Sequence, residues 1–156
     1  MNYSYGFHLH HLARLWRSAL DSALNSVGLT QSTGIAIIHL AEAGEGISQR
    51  HLAEELAVEQ PTLVRTLDFL VNKGLIERRP CPTDRRAKLL YLLPDGRAMV
   101  DRINSCRQQV QEDALAGISE DDLAALRTAF EAMHRNLYTL SERNKAVPSA
   151  VQEDTP

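Results

Sequence analysis

The chain has 156 residues, which suits one domain with appended helices and a core that removes roughly 70% of the unfolded surface. No apolar run reaches the roughly 20 residues that span a bilayer, and the first thirty residues lack a basic stretch followed by an apolar core. Neither a membrane span nor a secretory leader is therefore expected, and the cytoplasm is the default compartment. Cys81 and Cys106 are too few for a disulfide framework or a zinc site, and a net charge of −3, read alone, argues against a nucleic-acid partner.

Residues 7–27 carry Leu9, Leu12, Trp16, Leu20, Ala23 and Val27 at steps of three or four, the pattern of an amphipathic helix ended by Gly28. Thr30 is placed to cap a second helix over 31–44, with Ile35, Ile37, Ile38 and Leu40 in an apolar body. Ser48 caps a short helix over 48–56, whose inner face is Leu52, Ala53 and Leu56. Pro61 then opens a helix that runs to Asn72, with Leu63, Val64, Leu67, Leu70 and Val71 inward and Gly74 beyond its end. The period changes at "LIERR" (75–79) and "KLLYLL" (88–93), two strand candidates around the polar loop 80–87. A further helix opens at Pro94 and carries Met99, Ile103, Cys106 and Val110 before Gly117 breaks it. Ser119 and Asp122 resemble a capping box ahead of the last helix. There Leu123, Leu126, Phe130, Met133, Leu137 and Leu140 form an unbroken 3-4-3-4-3 stripe, and a disordered tail is expected over 141–156.

Two helices joined by a short turn and followed by a basic hairpin make a winged helix-turn-helix arrangement, in which the second helix enters a major groove. Its first turns here carry Gln60, Pro61, Thr62, Arg65 and Thr66, and Arg65 is the candidate base reader because a guanidinium bonds guanine O6 and N7 together. Ser48, Arg50 and the free N–H groups of the short helix are candidate phosphate contacts. At the hairpin tip Arg85 and Arg86 stand between Asp84 and Lys88. One arginine suits a narrow minor groove, and Asp84 suits the task of holding its neighbour.

"VEQPTLVRTLDFLVNKGLIERRPCPTDRRAKLLYL" resembles the DNA-binding core of the MarR family, and within it the SlyA/RovA-like branch. The resemblance extends over about residues 8–140. It implies a mainly α fold with a small β-hairpin wing, residues 31–93 forming the winged DNA-binding domain. Residues 7–30 and 94–140 would form the helices of a homodimer, Leu9 and the 123–137 stripe among their contacts. It also implies binding to double-stranded DNA at a pseudo-palindromic, A·T-rich site, with Arg86 favoured as the minor-groove residue. A small aromatic carboxylate or phenolic effector is implied as well, with Leu12, Trp16, Ile35, Ile38 and His39 as candidate walls. Gly34 stands where that branch carries a bulky aromatic, and Phe69 stands where a polar residue is usual.

Other function classes have less behind them. His8 and His11 are three apart, but an imidazole pair alone is weak evidence for a metal, and neither a metal nor a cofactor is expected. No nucleophile–base set, phosphate loop or metal-spaced His/Glu pair points to an enzyme. A helical interaction module without DNA binding leaves "DRRAK" without a use. Cys81, among Arg78, Arg79, Arg85 and Arg86, leaves a redox-responsive regulator as an alternative. Summed by segment, residues 60–90 hold seven basic and three acidic residues, whereas 100–156 hold six basic and ten acidic. The net −3 therefore averages two opposed surfaces, and the objection to nucleic acid does not hold for the local patch.

Overall fold

A computed structural model of the chain describes residues 4–44, 46–84 and 87–146. The chain divides into two compact units, Met1–Ala114 and Leu115–Pro156. The order is α1 (Tyr5–Ser26), α2 (Gln31–Ala43), β1 (Ile47–Ser48), α3 (Gln49–Glu55), α4 (Gln60–Asn72), β2 (Ile76–Pro80), β3 (Lys88–Leu92), α5 (Pro94–Leu115) and α6 (Glu120–Ala146). No helix among the described residues is long and apolar enough to cross a membrane.

Local chemistry sets most of these boundaries. Ser4 Oγ accepts from Phe7 N and starts α1 two residues before the expected point. Thr30 and Thr33 satisfy each other's backbone N–H groups in a capping box at α2. The Ser48 hydroxyl accepts from His51 N and starts α3. Glu59 caps α4 with its backbone alone, and Pro61 in the first turn removes an N–H that has no intrahelical acceptor. Gly28, at φ 77, turns the chain out of α1.

The core of the first unit is a set of branched aliphatic side chains supplied by every layer. Ile37, Leu52, Leu63, Leu67, Leu70, Ile76, Leu90 and Ile103 are 1% exposed or less. Leu24 of α1 and Ile103 of α5 belong to the same cluster, so both flanking helices complete the core around residues 31–93. The wing is wider than a hairpin: Ile47 and Ser48 pair with Leu90 and Leu89, giving an antiparallel sheet in the order β1-β3-β2. A two-residue strand is too short for any alternation to announce it. β2 and β3 pair from Ile76↔Leu92 to Pro80↔Lys88. Two core expectations change. Val64 and Ile35 are exposed, because α4 and α2 each turn a neighbouring stripe inward. On α1, Leu24 rather than Leu12 or Trp16 is the buried residue.

In the second unit, α6 starts at Ser119, whose hydroxyl accepts from Asp122 N and donates to Asp122 Oδ2. Leu126, Phe130, Leu137, Tyr138 and Leu140 are exposed along it, while Leu123 and Met133 are half-buried. Residues 141–146, expected to begin a tail, continue α6, since nothing before Pro148 breaks the helix. Residues 147–156 lie outside the described residues.

The tightest joint in the first unit is at Gly96. A Cβ there would stand 2.0 Å from the Leu75 carbonyl oxygen, which already accepts from Leu93 N at 3.0 Å. Gly96→Ala therefore forces α5 off the root of β2. Urea unfolding is expected to show a loss of about 1–3 kcal/mol or more, the cost of overpacking. A stability equal to wild type would mean that this joint gives freely.

Candidate nucleic-acid interface

The orientation of α4 follows from its own leucines. Leu63, Leu67 and Leu70 face the core, so Pro61, Thr62, Arg65 and Phe69 are turned outward and Thr66 is half-buried. Thr66 Oγ1 donates back to the Thr62 carbonyl at 3.3 Å. Arg65 is exposed and has no hydrogen bond or ion pair among the described residues. Asp68, its neighbour one turn on, is engaged elsewhere: Arg78 Nη1 of β2 donates to Asp68 Oδ1 at 2.5 Å. Phe69 is 39% exposed and lies under the Lys73 ammonium, 5.5 Å from the ring centroid.

The remaining expected contacts have mixed availability. Gln60 is exposed at the start of α4. The Ser48 hydroxyl is used as a helix cap. Arg50 is exposed but bonded to Glu54 Oε1 at 2.9 Å, a contact that raises its pKa above the ordinary arginine value. In the wing, Arg79 pairs with Glu77 and stacks over Tyr91 at 4.3 Å. Asp84 and Lys88 are exposed at the two ends of the loop, and the Lys88 ammonium has no hydrogen bond or ion pair among the described residues. Arg85 and Arg86 lie outside the described residues.

Cys81 opens the wing loop, where its N–H donates to the Ala87 carbonyl. Its Sγ is 3.4 Å from Thr83 Oγ1. The Thr83 hydroxyl, then the backbone N–H groups of Thr83 and Asp84, hold the thiol below its ordinary pKa, against desolvation and the like charge of the Asp84 carboxylate. Among the described residues hydrogen bonding lowers it, and neither Arg78 nor Arg79 contributes; Arg85 and Arg86, also expected to act here, lie outside the described residues. Cys106 is half-buried on α5, with Sγ 3.5 Å from the Ala23 carbonyl.

A cavity of about 290 Å³ lies between α1, α2 and α5. Leu20, Leu24, Ile35, Ile38 and Ile103 make its apolar wall, and Gln31, His39, Glu42 and Arg107 bring polar atoms. Three expected residues, Ile35, Ile38 and His39, border it. Leu12 and Trp16 do not: they stand on earlier turns of α1, 60% and 42% exposed. Ile103 and Arg107 were not anticipated, because nothing in a helix stripe tells which distant cavity it faces. Gly34 borders the space too, and a Cβ there would lie 3.3 Å from Leu24 Cδ1. On its far side His39 Nδ1 is 3.8 Å from Glu55 Oε2 of α3, and Glu55 Oε1 is 3.3 Å from His51 Nε2. His8 and His11 lie beside Phe7 on α1, and no group of three metal-ligating side chains occurs among the described residues.

The arrangement matches known proteins. The MarR family model matches residues 27–87. A solved transcriptional regulator, PA3341, is 34% identical with a TM-score of 0.68, and the match covers 87% of this chain and 99% of that one. The chain belongs to the MarR family. Wild-type apo MarR from E. coli shares the fold at 24% identity, with a TM-score of 0.76 over 85% of this chain and 98% of that one. A cysteine-to-serine mutant of E. coli MarR complexed with operator DNA is 25% identical, with a TM-score of 0.69 over 82% of this chain and 91% of that one. The helix pair α3–α4 and the sheet β1-β3-β2 are the winged helix-turn-helix of a MarR-family chain.

Alkylation by iodoacetamide tests the wing thiol. Its rate is expected to reach half-maximum below the pH of a free cysteine, whose pKa is about 8.5. Thr83→Val should move that midpoint upward. A midpoint indifferent to Thr83→Val would mean that the hydroxyl is not the cause.

Proposed function

We propose that this MarR-family chain is a homodimeric, sequence-specific regulator of transcription that binds double-stranded DNA, in the manner of the SlyA/RovA-like branch. The observation that carries the reading is Arg65, exposed on the outer face of α4 with no partner among the described residues, in a chain whose wing loop carries "DRR" in its sequence. The relative solved on operator DNA supports it. In this reading α4 enters a major groove, with Arg65 on a base edge and Gln60, Pro61, Thr62 and Thr66 around it. Arg86, with Asp84, Arg85 and Lys88, serves the adjacent minor groove of a pseudo-palindromic, A·T-rich site. Ser48 and Arg50 serve phosphates only if the Glu54 contact yields, so their share is smaller. Two-fold symmetry sets the half-sites about 34–36 Å apart. The exposed apolar residues of α6 and, separately, Leu12 and Trp16 with the half-buried Leu9 on α1 supply surface for the second copy, since exposed apolar rows are costly to leave in water.

The α1/α2/α5 cavity suits a small aromatic carboxylate: a ring against Ile35, Ile38 and Ile103, and a carboxylate on Arg107. Its occupant reaches α3 through His39 and Glu55, which is where a change in α3–α4 spacing would begin.

A gel shift on duplexes selected from a random pool is expected to give affinity that falls as salt rises. Arg65→Ala should cost about 1–3 kcal/mol on the selected duplex and relax its sequence choice. Absence of binding at every salt concentration would favour a helical interaction module instead. For the cavity, calorimetric titration with salicylate is expected to give a saturating heat, and Arg107→Met to weaken binding about tenfold. No heat, together with unchanged DNA affinity, removes the effector from the account.

A further inference from the structure

Arg78 is the third residue of β2 and is half-buried, yet it is spent on α4. Nη1 donates to Asp68 Oδ1, and Nη2 reaches the Val64 carbonyl at 3.5 Å. Its Nε is buried and has no partner among the described residues. Leaving that N–H unsatisfied costs free energy, so the guanidinium is held here by its hold on Asp68.

Asp68 needs holding. It follows Arg65 by three residues on the same helix, and side chains so spaced are neighbours. A guanidinium carries donors only, in a fixed fork. A carboxylate that takes that fork occupies the N–H groups that a guanine edge would use. With Asp68 turned to Arg78, Arg65 is left without an intrachain acceptor among the described residues.

We propose that Arg78 is a specificity-determining positioning residue: it keeps Asp68 away from Arg65 and so keeps the Arg65 guanidinium open for a base edge. It acts from the wing strand without meeting the base itself. The inference rests on the reading that Arg65 meets DNA, and the experiment separates the two.

The wild-type chain selects a duplex from a random-sequence pool. Affinity is then compared on that duplex and on a shuffled one of the same composition, with thermal midpoints recorded alongside. If Arg65→Ala leaves the affinity ratio unchanged, the reading of α4 fails, and this inference fails with it. If Arg65→Ala lowers the ratio, Arg78→Ala is expected to lower it about tenfold, and Asp68→Asn to hold it within about twofold of wild type. The double variant should return to the Asp68→Asn value even though its midpoint stays depressed. A bridge that only braces the fold gives another pattern: both single variants lose the ratio alike and the double variant does not recover. That pattern overturns the proposal. Should Arg78→Ala fail to fold, Arg78→Gln keeps the stem and polar tip while releasing the charge on Asp68. The same loss and the same recovery are expected, and a full ratio in Arg78→Gln overturns the proposal equally.

Discussion

Burial of Leu63, Leu67 and Leu70 sets the roll of α4 about its own axis, and the rest of the interface depends on that roll. The three leucines meet Ile37 of α2, Leu52 of α3 and Ile76 of β2 in one cluster with almost no exposure. Each fully buried leucine contributes roughly 1.5–3 kcal/mol, so turning all three outward would cost about 4.5–9 kcal/mol, as much as many domains hold in net stability. Given that roll, helical geometry leaves Thr62, Arg65 and Phe69 outward with no further instruction. The same roll exposes Val64, although Leu63 before it is a core residue, and brings its carbonyl to the Arg78 guanidinium.

The position of the wing follows from a second joint. Leu75 closes the turn after α4, and its carbonyl accepts from Leu93 N while Gly96 of α5 presses on the same atom. The end of α4, the start of β2, the end of β3 and the first turn of α5 therefore meet at one backbone group. Helix α5 carries this joint at one end and Ile103 and Arg107 of the cavity two to three turns later. One continuous helix thus joins the cavity wall to the seat of α4 and the wing.

Much of the fold is legible in the sequence because its signals are local. Caps at Thr30, Ser48 and Ser119, the glycine stop at Gly28 and the strand run from Lys88 are each decided within four or five residues, and each element lies where those residues put it. The parts that were not legible are contacts between distant segments. Strand β1 exists only because Leu89 and Leu90, some forty residues on, offer it a partner. The stripe on α1 has the right period, yet the period does not say that the buried turn begins near Leu20 and that Leu24 fills the core. For the interface, the polar face of α4 and the wing loop could be read from pattern and resemblance. That Asp68 answers to Arg78 rather than to Arg65 could not, since spacing alone favours the nearer pair.

Charge shows the same distinction between inventory and availability. Residues 60–90 hold a surplus of four positive charges, but a sum treats every guanidinium alike. Arg78 and Arg79 are bound to Asp68 and Glu77, and Lys73 lies over Phe69. These pairings leave the local potential positive, because each acid is counted already. They do change which cations can move toward a phosphate or a base without first breaking a contact. Exposed ion pairs are worth little, about 0–1 kcal/mol, so a strong field of phosphates can break the Arg79–Glu77 contact. The Arg78–Asp68 pair is less exposed on its arginine side and has a carbonyl as a second acceptor, so it persists longest. Pairing within the chain thus separates structural cations from available ones. It leaves Arg65 and Lys88, one on the helix and one on the hairpin, as the described cations from 60 to 90 that owe nothing to their own chain.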